Sequence, residues 1–247
     1  MPTFDSGALK LNYEAGGKGT PVVMLHGFGM SARTCWIEKG WFDLFEARGL
    51  RAVALDSRGH GLSDKPLEPS AYAAEQMTAD VLNLLDHLDI GRAHFIGHSM
   101  GARTAFDIAR KHPGRMASLV TVSVGANLFA HVQSSLFIKA LDGSDPENVP
   151  PGLAGFAAML LALGNELAPL VACLSSPRAV PVPSDLAAID GPVLLATGAL
   201  DPIVGDPHVV AAALPNGRAV VIPDTEHTDV LASPRLQRLA VEFLHGA

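Results

Sequence analysis

Apolar residues come in short runs along this chain, and the runs alternate with longer stretches of helical spacing. The runs at Leu9–Tyr13, Val22–Leu25, Ala52–Leu55, His94–Ile96, Leu119–Val124, Val193–Ala196 and Ala219–Ile222 predict strands. Between them, Met77, Val81, Leu84, Leu85 and Leu88 recur at intervals of three and four, which gives a helix one apolar face. Met100–Lys111 carries Ala102, Ala105, Phe106 and Ala109 and stops before Pro113, and Leu236, Leu239, Phe243 and Leu244 mark a final helix. Strand and helix patterns in alternation predict an α/β protein: a mostly parallel central sheet flanked by helices.

The rhythm fails between Gly125 and Ile189. A Pro/Asp/Gly-rich piece (Asp142–Gly152), an apolar run and a second Pro-rich piece (Pro177–Pro183) replace the strands. The economical reading is a helical insertion over one end of the sheet. It divides the chain into a core, 1–124 and 190–247, and a short helical lid, 125–189. The apolar content of Phe156–Leu163 argues against a disordered loop.

A length of 247 residues fits one such domain with an insertion. Hydrophobic residues make up 48% and charged ones 17%, enough to bury a sizeable core. The net charge of −7 argues against nucleic acid and anionic membrane surfaces as partners. Two cysteines, Cys35 and Cys173, do not make a disulfide framework and read as reduced. The opening Met-Pro-Thr-Phe-Asp lacks the basic-then-apolar pattern of a signal peptide, and the most apolar window, Gly155–Leu163, is too short to span a bilayer. A soluble, cytoplasmic monomer or homodimer is the expectation.

The candidate chemistry starts in "HFIGHSMGAR", His94–Arg103, where Gly97-His98-Ser99-Met100-Gly101 satisfies G-x-S-x-G between a predicted strand and a predicted helix. A serine in so sharp a turn is held in a strained backbone conformation. Small residues on either side remove the clash, and the hydroxyl projects above a helix N-terminus that favours developing negative charge. A free hydroxyl is a weak nucleophile, so Ser99 needs a base. Of ten histidines, His227 lies in a polar loop between the last predicted strand and the last helix. His98 adjoins the serine, but its side chain leaves the turn in another direction. An acid must fix the tautomer of the histidine. Asp201 follows the strand Val193–Ala196; Asp206 reads as the cap of a helix after Pro207, and Asp224 and Asp229 as loop residues. The Met100 N–H, at the helix start, is one candidate oxyanion donor.

With "LHGFG" (Leu25–Gly29), "LDSRGHGLSD" (Leu55–Asp64), "GALDPIV" (Gly198–Val204) and "DTEHTDVL" (Asp224–Leu231), the chain resembles the α/β-hydrolase fold superfamily, in particular its small serine esterase, perhydrolase and cofactor-free haloperoxidase-like branch. The order nucleophile, acid, histidine is that of the family. The resemblance implies Ser99, Asp201 and His227 as catalytic residues and the Phe28 N–H as second oxyanion donor. It makes Arg58–Gly61 a structural turn and His60 a bystander. It implies no metal and no organic cofactor. A serine nucleophile also sets the chain apart from epoxide hydrolases and haloalkane dehalogenases, whose relatives in this fold carry aspartate there. Ala102 stands where many relatives have a further glycine.

The expected activity is hydrolysis of small to medium neutral carboxylic esters through an acyl-serine. Perhydrolysis, carbon–carbon bond hydrolysis and slow ligand sensing through a protein partner remain open with the same three residues. Phe28, His98, Phe129, Phe137 and Met159 are the candidate lining of the substrate pocket.

Overall fold

The computed structural model describes residues 1–130 and 134–247, so residues 131–133 of the anticipated lid lie outside the described residues. Eight strands form one sheet: β1 (Thr3–Ser6), β2 (Leu9–Gly16), β3 (Thr20–Leu25), β4 (Leu50–Leu55), β5 (Ala93–His98), β6 (Met116–Val122), β7 (Val193–Gly198) and β8 (Gly217–Ile222). Their order is β1-β2-β4-β3-β5-β6-β7-β8. Only the β1–β2 and β2–β4 pairings are antiparallel; from β4 to β8 the sheet is parallel.

The helices are α1 (Trp41–Glu46), α2 (Ala74–His87), α3 (Met100–Lys111), α4 (Ser134–Asp142), α5 (Pro151–Ala162), α6 (Leu167–Ser175), α7 (Pro183–Leu186), α8 (Pro207–Ala211) and α9 (Pro234–Gly246). Side chains alternate across the strands, so each strand feeds two cores. Val23, Leu25, Phe95, Leu119 and Leu195 face Val81, Leu84, Leu85 of α2 and Ala105, Phe106 of α3. Val22, Met24, Ile96, Val120 and Ala196 face Trp41 and Phe45 of α1 and Leu236, Val241 and Leu244 of α9. Burial on both faces is why these strands read as continuous apolar runs. Among the described residues no helix is long and apolar enough to cross a membrane.

The predicted strands all exist with shifted ends, and β1 is an addition. It has four residues and only Phe4 and Ser6 buried, too weak an alternation to stand out. The run Leu119–Val124 is Met116–Val122 in the structure, because Ser123 turns the backbone out of the ladder at φ +57°. α1 was not anticipated: six residues hold too few helical turns for a period to show. The described part of 125–189 is helical, a short turn at Ala126–Phe129 followed by α4 to α7, with no strand among the described residues. Asp206 caps α8, its carboxylate accepting from the His208 N–H at 2.9 Å.

The chain leaves β3 through α1 toward β4 on one side, and leaves β5 through α3 toward β6 on the other. β3 and β5 are neighbours, so the carboxyl ends of the two strands flank a crevice. In open parallel sheets that switch point is where ligands bind.

Candidate active site

Ser99 occupies the turn between β5 and α3 at φ +50°, ψ −107°. A non-glycine residue costs about 1–3 kcal/mol in such a region, so the surroundings must enforce it. They do so by close packing. A Cβ on Gly97 would lie 2.7 Å from the Ala102 backbone, and one on Gly101 would strike the Leu25 carbonyl. The two glycines let α3 approach β3 and β5 closely enough to force the turn. Ala102, in place of a glycine, is fully buried and accommodated.

Two further loops at the carboxyl edge bring their residues to Ser99. His227, between β8 and α9, places Nε2 3.1 Å from Ser99 Oγ. Its Nδ1 lies 2.7 Å from Asp201 Oδ2, at the end of β7. The second oxygen of Asp201 accepts the Ile203 N–H at 3.0 Å. Burial pushes the Asp201 carboxyl upward, but the His227 hydrogen bond and charge and the Ile203 N–H outweigh it and hold the group below its ordinary range. An ionised Asp201 requires the hydrogen of a neutral His227 to sit on Nδ1, which leaves Nε2 as an acceptor facing the serine hydroxyl. The geometry therefore suits proton abstraction from Ser99. Asp206, Asp224 and Asp229 are not in this array; Asp206 is spent on its helix cap.

The His227 backbone is clamped as well. Its carbonyl accepts from Ser123 Oγ at 2.7 Å and from His98 Nε2 at 2.9 Å. His98 is consequently not a pocket residue. It is 1% exposed, and burial, with the charge of His227, lowers its pKa to about 3, so it is a neutral donor behind the histidine loop. Ser123 escaped the sequence reading. Its one signal is a serine among apolar neighbours at a strand end.

At the other rim, Gly27 to Met30 form a tight turn after β3, the Met30 N–H donating to the Gly27 carbonyl at 3.1 Å. Gly29 supplies the positive φ, +69°, that the third position of a type II turn requires. The Phe28 N–H is not used in closing that turn, and the Met100 N–H is in the first turn of α3, where helical N–H groups have no intrahelical acceptor. The turn is braced from below. His26 Nε2 accepts the Ser57 N–H at 3.0 Å, and Asp56 accepts the N–H groups of Ala32 at 2.7 Å and Leu62 at 3.0 Å. His60 donates from Nδ1 to the Arg58 carbonyl at 3.0 Å and is buried, a structural residue as anticipated from the turn motif. From above, Asn165, unforeseen in the sequence, donates to the carbonyls of both Gly29 and Leu160 at 2.7 Å and so ties the turn to α5.

Aromatic rings line the way from this turn to the histidine. Phe28 lies 5.3 Å from Phe137, Phe137 5.6 Å from Phe156, and Phe156 6.3 Å from His227, centroid to centroid. Leu141, Ala157 and Leu170 pack behind them. Phe156 thus stands beside His227, with Phe137 and then Phe28 following it in the row. Met159, on α5, is 37% exposed. Phe129 is elsewhere: it packs on the core that contains α2 and α3, because the Ala126–Phe129 turn hugs the sheet before the chain departs. Among the described residues no group of three or more His, Cys, Asp or Glu side chains could hold a metal ion.

Known proteins place this arrangement in context. The sn-1-specific diacylglycerol lipase ABHD11 of Danio rerio is 33% identical over 145 residues, 58% of this chain and 44% of that protein. Epoxide hydrolase 2 of Siraitia grosvenorii is 34% identical over 123 residues, 49% of this chain and 38% of that protein. The chain spans under half the length of these two curated relatives. The solved structure described as "Est816 as an N-Acyl homoserine lactone degrading enzyme" superposes with a TM-score of 0.77 at 27% identity, over 98% of this chain and 100% of that one. The family model described as "alpha/beta hydrolase fold" matches residues 20–166, well over half of the sequence, and the chain belongs to that family.

Proposed function

We propose that this protein is a serine hydrolase that cleaves small to medium neutral carboxylic esters. The observation that carries the reading is the continuous array of Ser99 Oγ, His227 Nε2 and Nδ1, and Asp201 Oδ2, with contacts of 3.1 and 2.7 Å. The lactone-degrading activity of Est816 agrees with it, since a lactone is a cyclic ester.

In the proposed cycle, Ser99 Oγ attacks the ester carbonyl carbon while its proton passes to His227 Nε2. The carbonyl π pair moves onto oxygen, where the N–H groups of Phe28 and Met100 receive it; a single such donor is worth about 3–4 kcal/mol. The carbon–oxygen bond to the alcohol then breaks as His227 returns the proton to the leaving oxygen. Water, giving a proton to the same nitrogen, attacks the acyl carbon; the bond to Ser99 Oγ then breaks as His227 returns the proton to that oxygen, releasing the acid and restoring the serine. Asp201 stabilises the imidazolium in both halves. The 125–189 segment serves as lid, and the uncharged surfaces of Phe28, Phe137 and Phe156 favour a neutral acyl or alcohol group.

Steady-state hydrolysis of p-nitrophenyl esters from acetate to octanoate tests the reading. Sustained turnover by the wild type falls by about 10⁴-fold or more in Ser99→Ala. Equal rates in the two proteins refute the serine mechanism, and a single burst without turnover refutes hydrolysis as the function.

A further inference from the structure

A cavity of about 260 Å³ opens between α2, α3 and the segment Pro177–Leu186, and none of Ser99, Asp201 and His227 lines it. Four cationic side chains border it, Arg103, Arg110, Lys111 and Arg178, against the three carboxylates Glu75, Asp107 and Asp185. The carboxylates are all engaged. Glu75 pairs with Lys111 at 3.1 Å, and Arg110 pairs with Asp107 at 3.0 Å and Asp185 at 3.7 Å. Among the described residues, Arg103 and Arg178 have no carboxylate within ion-pair distance.

Arg103 spends two of its five N–H groups on the carbonyls of Asn127, at 2.7 Å, and Leu128, at 3.3 Å. The guanidinium of Arg178 donates to Cys173 Sγ at 3.3 Å, a weak acceptor. Arg103 is half-buried and Arg178 exposed; burial of the Arg103 guanidinium without an ion pair is costly, and two cations bordering one cavity repel. Burial, and after it the charge of Arg178, bring the Arg103 pKa down to about 10 against the weaker attraction of Asp107. An oxyanion between the two offsets the burial of Arg103 and relieves their mutual repulsion, and planar guanidinium forks match a planar oxyanion. The remaining wall is apolar, with Met77, Phe106, Leu128 and Leu186. That wall calls for a ligand with an apolar body behind its charged head.

We propose that this cavity is a binding site, separate from the Ser99 site, for a small monocarboxylate, whose carboxylate is held by Arg103 and Arg178 and whose short hydrocarbon body lies against Met77, Phe106 and Leu128. The proposal goes beyond the hydrolase reading and does not depend on it.

Calorimetric titration of the full chain with sodium hexanoate tests it, with 1-hexanol and inorganic phosphate as controls and Ser99→Ala and Arg178→Gln as variants. Expected is saturable binding of hexanoate that survives Ser99→Ala and weakens about tenfold or more in Arg178→Gln, as loss of a charged hydrogen-bond donor does. Binding unchanged in Arg178→Gln, binding lost in Ser99→Ala, or equal affinity for 1-hexanol overturns the site. Tighter binding of phosphate than of hexanoate overturns the carboxylate assignment. Should Arg178→Gln fail to fold, amide shift mapping of the wild type decides. Perturbations along residues 103–111 and 177–186 support the site; perturbations confined to Phe28, Phe137, Phe156 and His227 overturn it.

Discussion

Replacing Asp201 by Asn separates geometry from charge at the candidate active site. The carboxylate accepts two hydrogen bonds, from His227 Nδ1 at 2.7 Å and from the Ile203 N–H at 3.0 Å. The amide is nearly isosteric but has one acceptor oxygen. With that oxygen kept on Ile203, the NH₂ faces Nδ1 and forces the histidine hydrogen onto Nε2. His227 then donates to Ser99 and cannot take its proton. With the oxygen turned to His227, two donors meet at Ile203 and no charge remains to stabilise the imidazolium. Opposite charges about 4 Å apart at an effective dielectric constant of about 20 attract by about 4 kcal/mol, and losing that slows the reaction about 10³-fold. The wrong tautomer extends the loss to about 10⁴-fold, the effect of the same change in characterised serine triads. The assay is kcat for p-nitrophenyl butyrate at pH 7, with the circular dichroism spectrum as folding control. A folded Asp201→Asn protein within about tenfold of the wild-type kcat refutes the reasoning.

Stability makes two further predictions. Arg58 and Asp80 form a buried pair, with Nε to Oδ2 and Nη2 to Oδ1 both at 2.7 Å and Ser6 Oγ donating to Asp80 at 2.6 Å. Asp80→Ala strands the guanidinium and should cost about 3–5 kcal/mol; in a thermal melt this lowers Tm by about 6–20 °C, and a drop under about 2 °C contradicts it. Burial lowers the pKa values of His60 and His98 to about 3 each. Between that value and the unfolded value near 6.5 only the unfolded chain takes the protons, so stability is full above about pH 6.5 and falls as the pH drops. Each histidine removes about 2 kcal/mol by pH 5, and urea denaturation showing equal stability at pH 7 and pH 5 would rule this out.

Much of the frame was legible in the linear sequence, because its causes are local. Strands buried on both faces show as apolar runs, and α3 begins and ends at Met100 and Lys111 as its spacing and the following Pro113 dictate. The elbow at Ser99 was legible too, since the glycines that permit it are two residues away on either side. β1 and α1 were not, being too short for a period to emerge.

Side-chain placement within the site followed a different rule. The sequence by itself determined that a serine would stand at the head of a helix, its hydroxyl projecting at the carboxyl edge of a parallel sheet. The resemblance pointed to His227 and Asp201 as its partners; only the tertiary structure decided how they reach it and what braces them. His227 and Ser99 are 128 positions apart and meet because β5 and the loop after β8 end at one rim of the sheet. The same convergence sent His98 beneath the histidine loop and Phe129 onto the core, and brought Ser123 to the His227 carbonyl and Asn165 to the turn that holds Phe28. Local sterics and hydrophobic spacing act over a few residues and are written in order along the chain. Hydrogen bonds between loop ends depend on sheet order and on the angle at which helices pack, which no short stretch of sequence encodes.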